Sequence, residues 1–371
     1  MTALILLLAV LVLAFWNGAN DVSKGVATLA GSGVTRLRTA VVWGSIWTAV
    51  GGIAAAFASM RLTKAFSGSG LIPAMPGDHG LLIAVAVGAL SWVAFATRTA
   101  LPVSTTHAIT GALLGAGIAA VGWNGIAWPV LATKFAAPLI FSPFVSLALM
   151  YLAVPLVHVA FSGLQRHCVC LEREIAIAAT PDRETSAMAL LSTTGIVAGS
   201  TRDCDASPAT VARLNLMDGM HWLTAGATSF ARGLNDTPKI LSLDVVANAA
   251  FEMTPTVAFG LVALAMVAGS LLAGFRVTET LAEKVTPMTP TEGFAANLVT
   301  SVLVIVASRF ALPVSTTHVS SGAIIGLGLK RGRGSIHWKT VRGMLGAWLI
   351  TLPAAAALTG GFYLLIRSIV R

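Results

Sequence analysis

The sequence predicts an all-α polytopic membrane protein made of two inverted-topology repeats with broken helices. Three observations carry this expectation. Of the 371 residues, 56% are hydrophobic and only 11% charged, and the mean hydropathy is +0.83, more apolar surface than a water-soluble chain can hide. Apolar runs long enough to cross a bilayer recur along the chain. The polar motifs that interrupt those runs occur twice.

The runs at 1–16, 39–59, 81–96, 256–275 and 343–368 are continuous and rich in Ala, Leu and Gly. Helices suit such runs better than barrel strands, which alternate in polarity over about ten residues. No Lys or Arg precedes the first run and no small-residue cleavage site follows it, so it reads as part of the mature first membrane helix; the first base is Lys24. The net charge of +9 is scattered over helix ends, which fits positive-inside orientation and not a nucleic-acid patch.

The repeats set the organisation. AFWNGANDVSK at 14–24 matches SFARGLNDTPK at 229–239, and TRTALPVSTTH at 97–107 matches SRFALPVSTTH at 308–318. Trp128 and Pro143 recur as Trp338 and Pro353, and all offsets fall between 210 and 215 positions. The expected domains are an N-terminal transmembrane repeat (1–160), a central polar loop (161–218) and a C-terminal transmembrane repeat (219–371), with about 10–12 membrane segments in all.

Charge predicts that the halves are inverted. Arg36 and Arg38 follow the first Asn-Asp motif, whereas Asp244 and Glu252 follow the second. Beyond the first STTH stretch VGWNGIAWP is uncharged, whereas the second is followed by Lys330, Arg331, Arg333, Lys339 and Arg342. Positive loops stay in the cytoplasm. The bias therefore places the central loop in the cytoplasm and both chain ends outside; the membrane is expected to be a bacterial inner membrane. Inverted repeats with polar, Gly- and Pro-interrupted helices at matching places are the sequence signature of a secondary transporter.

Each motif has a chemistry. In LPVSTTH, Pro102 suits a first helical turn, and Ser104, Thr105 and Thr106 place hydroxyls beside the backbone N–H groups that a helix start leaves unpaired. That combination binds oxyanions, and Ser315, Thr316 and Thr317 repeat it. The alternative is that the hydroxyls bond back to their own helix carbonyls. In the other motif, Asn20 with Asp21 and Asn235 with Asp236 offer carboxylate, carboxamide and backbone oxygens of the kind that Na⁺ requires. The alternative is an internal ion pair, Asp21 with Lys24 and Asp236 with Lys239, at the i, i+3 spacing. A carboxylate near an oxyanion selects phosphate over sulfate, because phosphate keeps a P–OH that donates to the carboxylate and sulfate has none.

The paired GANDV and GLNDT motifs, together with paired PVSTTH, resemble the inorganic phosphate transporter (Pit) family of bacterial phosphate permeases and sodium-phosphate symporters. The resemblance covers both halves and nearly all of the chain outside the central loop. It implies import of inorganic phosphate, re-entrant hairpins near the STT segments, a homodimer in membrane lipid, and no enzyme activity, catalytic residue or organic cofactor. It implies that Asp21, Ser104, Thr105, Thr106, Asp236, Ser315, Thr316 and Thr317 surround phosphate, and that Asn20, Asp21, Asn235 and Asp236 hold the coupling ion.

Two departures bear on coupling. His107 and His318 stand where many sodium-coupled members resemble STTQ, so the coupling ion is Na⁺ at the Asn-Asp motifs or H⁺ through these histidines. Pro238 stands opposite Ser23 and is expected to break the second Asn-Asp helix more sharply than the first is broken.

A sulfate or metal-phosphate permease of the same family is the nearest alternative. An anion channel fits less well, because carboxylates oppose anion flow. An intramembrane hydrolase fits less well too, because no Gly-x-Ser-x-Gly elbow is present. The central loop, with Cys168, Cys170 and Cys204 and mixed charges, reads as a solvated linker with some helix and no metal site.

Overall fold

The computed structural model describes residues 1–68, 70–73, 79–179, 188–200, 210–244 and 249–370. Inside a bilayer every backbone N–H and C=O needs a partner within the protein, which restricts spanning segments to helices or closed barrels. The described membrane-length elements are helices. Among the described residues, seven helical stretches are long and apolar enough to cross a membrane.

In the first half the helices are α1 (Thr2–Asp21), α2 (Ser23–Gly31), α3 (Leu37–Ala58), α4 (Met60–Phe66), α5 (His79–Arg98), α6 (Thr105–Val121) and α7 (Trp128–Phe161). The second half contains α8 (Leu216–Leu241), α9 (Pro255–Ala273), α10 (Phe275–Glu283), α11 (Pro290–Arg309), α12 (Thr316–Arg331) and α13 (Trp338–Val370). Each STTH stretch opens a helix of 17 or 16 residues, α6 or α12, too short to cross a hydrocarbon core that takes about 20 residues. The helices before them, α5 and α11, are the most enclosed of the seven, with 67% of each hydrophobic window buried against 22% for α7 and α13. Thus α5 and α11 are interior, while α7 and α13 present large side chains outward, including Phe144, Leu152, Leu349 and Ile369.

The halves pack by exchange. Helix α6 lies on α13 of the other half, and α12 lies on α7. Likewise α1 packs on α9, and α8 packs on α3. Glycines permit this close approach: a Cβ at Gly111 or Gly115 of α6 would strike the carbonyls of Leu352 and Ala356, and one at Gly322 or Gly326 of α12 would meet those of Pro143 and Leu147. Small residues at membrane helix contacts let backbones come together where hydrophobicity gives no driving force. The turns before α6 and α12 also correspond, since Ala100 and Ala311 have positive φ of 57° and 53°.

Two expectations are corrected. The break in the Asn-Asp helices falls in the first half, at Val22 between α1 and α2, while α8 runs through Pro238 to Leu241. Pro238 sits in the last turn, where the helix is ending anyway. In the first half the Asn20 carbonyl accepts from Ser23 Oγ at 2.9 Å and from Lys24 Nζ at 2.8 Å, in competition with the helix ladder.

The central segment also differs: it forms an antiparallel sheet of β1 (His167–Ala179), β2 (Met188–Ser200) and β3 (Thr210–Asn215) in the order β2-β1-β3. His167 pairs with Ser200 and Cys168 with Asn215. Val169, Ile175 and Ile177 in β1 are β-branched, which suits a strand where some helix was expected. Cys168 and Cys170 share one face of β1, with their sulfurs 3.2 Å apart. Cys204 lies outside the described residues.

Gly115→Val is predicted to lower the stability of the detergent-solubilised protein by about 1–3 kcal/mol or more, because the α13 backbone cannot yield to a branched side chain. Thermal unfolding measures this; an unchanged melting temperature would contradict the packing of α6 on α13.

Candidate functional site

The chain places its polar residues where its helices are interrupted. The two short helices begin side by side. Thr317 Oγ1 of α12 donates to the Val103 carbonyl of the first half at 2.7 Å, and Thr106 Oγ1 of α6 donates to the Val314 carbonyl of the second at 3.3 Å. Ser104 and Ser315 are the N-caps, accepting from the His107 and His318 amides at 3.1 and 3.2 Å. None of these contacts is a threonine bonding back to its own helix. The His107 and His318 rings meet with centroids 4.5 Å apart, and His318 also stacks on Trp348 at 4.1 Å. His318 Nδ1 lies 3.2 Å from the Leu139 carbonyl on α7, outside its own hairpin.

Both Asn-Asp motifs reach these helix starts. Asn20 Nδ2 donates to Thr97 Oγ1 at 3.1 Å and to the Leu101 carbonyl at 3.0 Å, and Asn20 Oδ1 accepts from the Val103 amide at 3.1 Å. The second half has a related arrangement: Ser308, the counterpart of Thr97, donates to Asn235 Oδ1 at 3.2 Å, and Asn235 Nδ2 donates to the Val314 carbonyl at 3.4 Å. Each Asn thus satisfies backbone that has left its helix.

The carboxylates are paired. Lys24 Nζ lies 2.6 Å from Asp21 Oδ1, and Lys239 Nζ lies 3.5 Å from Asp236 Oδ1. Lys239 also crosses to the first half, donating to Thr106 Oγ1 at 2.8 Å, and donates to the Val314 carbonyl of its own half at 2.8 Å. Asp236 Oδ1 accepts from Asn235 Nδ2 at 2.9 Å, while Asp236 Oδ2 has no hydrogen-bond partner among the described residues. All eight side chains expected around an anion are buried.

Two pairs of equivalent positions, Asn17 with Arg232 and Thr97 with Ser308, take part without being among the residues expected at the site. Asn17 Nδ2 donates to Asp21 Oδ2 at 3.2 Å and to Thr105 Oγ1 at 2.9 Å, joining one carboxylate to one STT cluster. Its counterpart in the second half is Arg232, which is 1% exposed and interacts electrostatically with both Asp21 and Asp236. Arg232 Nη1 donates to the Gly18 carbonyl at 3.4 Å, whereas Nε and Nη2 have no partner among the described residues. The second pair, Thr97 and Ser308, bonds to Asn20 and Asn235. A comparison of the repeats that searches for differences, and not only identities, would have exposed Arg232 opposite Asn17.

A family model described as the phosphate transporter family matches residues 17–359. The chain belongs to the phosphate transporter family. Membership makes it an integral membrane transporter of a family whose substrate is phosphate, and not an enzyme. Relatives include a probable low-affinity inorganic phosphate transporter of Rhizobium meliloti, 27% identical over 94% of this chain and 92% of the relative. A putative phosphate permease of Chlamydia muridarum is 28% identical over 95% of this chain and 96% of the relative. The chloroplastic inorganic phosphate transporter 2-1 of Arabidopsis thaliana is 28% identical over 92% of this chain and 68% of the relative. A solved structure titled as the sodium-dependent phosphate transporter shares the fold, with a TM-score of 0.76 over 99% of both chains at 20% identity.

Asn20→Ala should destabilise the protein by about 1–3 kcal/mol or more, since it leaves the Val103 amide and the Leu101 carbonyl unpaired in a buried place. Chemical denaturation in detergent measures the change; a loss under about 0.5 kcal/mol would show that the α6 entry segment does not rely on this side chain.

Proposed function

We propose that this protein imports inorganic phosphate by alternating access, coupled to Na⁺ or H⁺, at one site shared by the two repeats. The observation that carries the reading is the convergence of both STT helix starts, both Asn-Asp motifs and Arg232 in one buried polar cluster. Two helix N-termini supply unpaired amides and partial positive charge for an anion. Arg232 adds a buried guanidinium with a free edge, the group that matches phosphate in a bidentate way.

In this reading Ser104, Thr105, Thr106, Ser315, Thr316 and Thr317 line the anion, and Asp21 and Asp236 face it. The free Asp236 Oδ2 supports selection of phosphate. It is a buried acceptor that a P–OH satisfies and sulfate leaves unpaired. The reciprocal packing of α6 on α13 and of α12 on α7, with helix N-termini meeting, supports inverted repeats that rock about the site. The Arg and Lys distribution supports both ends outside and a cytoplasmic central segment, and the bacterial relatives support a bacterial inner membrane. A homodimer through an outward apolar face belongs to the same reading.

Uptake of radiolabelled phosphate into proteoliposomes tests it. Wild-type uptake should be concentrative and resist excess sulfate; strong sulfate competition would favour the sulfate alternative, and passive equilibration would favour a channel. Asp21→Asn, Asp236→Asn and Arg232→Gln should each reduce uptake at least about tenfold, the effect of losing roughly 1.4 kcal/mol or more of substrate interaction. Full uptake by all three variants would remove the cluster from the transport path.

A further inference from the structure

We propose that the ammonium groups of Lys24 and Lys239 stand in for coupling metal ions, so that this transporter moves phosphate without Na⁺. The inference rests on the transport reading above and narrows its two coupling ions to H⁺.

In the first Asn-Asp motif the oxygens on offer to a cation are already committed. Lys24 Nζ donates to the Asn20 carbonyl at 2.8 Å, to Asn20 Oδ1 at 2.9 Å and to Asp21 Oδ1 at 2.6 Å. An ammonium has three N–H donors and no acceptor. All three are matched, by a backbone carbonyl, a carboxamide and a carboxylate, the same oxygen types that transporters present to Na⁺ where a helix unwinds. The helical hydrogen-bond ladder is disturbed there, while Val22 keeps helical dihedrals of −56° and −33°. In the second half Lys239 Nζ is held differently, bonded to Thr106 Oγ1 and the Val314 carbonyl, each at 2.8 Å, and ion-paired with Asp236 Oδ1 at 3.5 Å.

Charge points the same way. The cluster holds two carboxylates, Asp21 and Asp236, and three cations, Lys24, Lys239 and Arg232, all buried. One positive charge remains in excess, which suits a phosphate monoanion with no metal ion added. A Na⁺ ion would have to share oxygens with an ammonium a few ångströms away, and unscreened like charges in a dry site repel strongly. A tethered ammonium also stays with the protein throughout a cycle, so it cannot be released beside the substrate as a bound metal ion is. Nothing at these positions then draws on a Na⁺ gradient.

Two measurements test this. In proteoliposomes with an imposed H⁺ gradient, replacing all Na⁺ by choline should change phosphate uptake less than about two-fold; a saturable requirement for Na⁺ would overturn the inference. Independently of transport, the thermal unfolding of purified wild-type protein should be the same in NaCl and in choline chloride at equal ionic strength. A Na⁺-specific rise would overturn the inference, since a ligand that binds the folded state raises its melting temperature. Lys24→Asn, which opens the oxygen cage, should acquire such a rise; if that variant does not fold, the two wild-type results decide. Failure of uptake in both salts and under both gradients would instead defeat the phosphate-import reading, with the unfolding comparison still deciding the role of the lysines.

Discussion

Backbone that leaves its helix inside a hydrophobic layer has to find every hydrogen-bond partner within the protein. The turns that lead into α6 and α12 are such backbone, and most of the site follows from how they are satisfied. Asn20 takes up Leu101 and Val103, Thr317 takes up Val103 from the other half, and Lys239, Asn235 and Thr106 converge on the Val314 carbonyl. The groups that hold the turns are therefore the groups of the Asn-Asp and STT motifs. One network holds the turns and, in the proposed reading, also receives the anion, and its members come from both halves.

The same constraint accounts for the packing outside the network. Two short helices that start at a common place must be held by neighbours along their length. Each borrows the last long helix of the opposite half, with glycines removing the side chains that would keep the backbones apart. The outward faces of α7 and α13 are left free to carry large apolar side chains. The polar network lies in the enclosed centre, and large apolar side chains lie on the perimeter.

Much of this was legible in the sequence because repetition marks what both halves need. LPVSTTH and the Asn-Asp motifs recur, and the structure brings all four copies together. What repetition hides is a position where the halves differ. Asn17 and Arg232 are equivalent in order, yet one is a neutral link to Thr105 and the other a buried cation with unpaired N–H groups. An i, i+3 ion pair and a cation site looked like competing uses of Asp21 and Asp236. Only side-chain geometry shows that Lys24 takes up the Asn20 and Asp21 oxygens, while Lys239 meets Asp236 at one oxygen. The β1–β3 sheet was obscured by scattered charges, which resemble a linker even where alternate residues face the same side of a strand. Helix breaking was misjudged at Pro238 because the cost of proline depends on how much helix follows it, and little does.

The central claim is that the two repeats build a single anion site and not one site each. Equilibrium binding of labelled phosphate to the purified protein, with the protein concentration measured independently, tests it most directly. The account predicts one phosphate per chain, and complete loss of that binding when the carboxylate of either half alone is neutralised. Two phosphates per chain, or half of the binding retained after such a change, would contradict it.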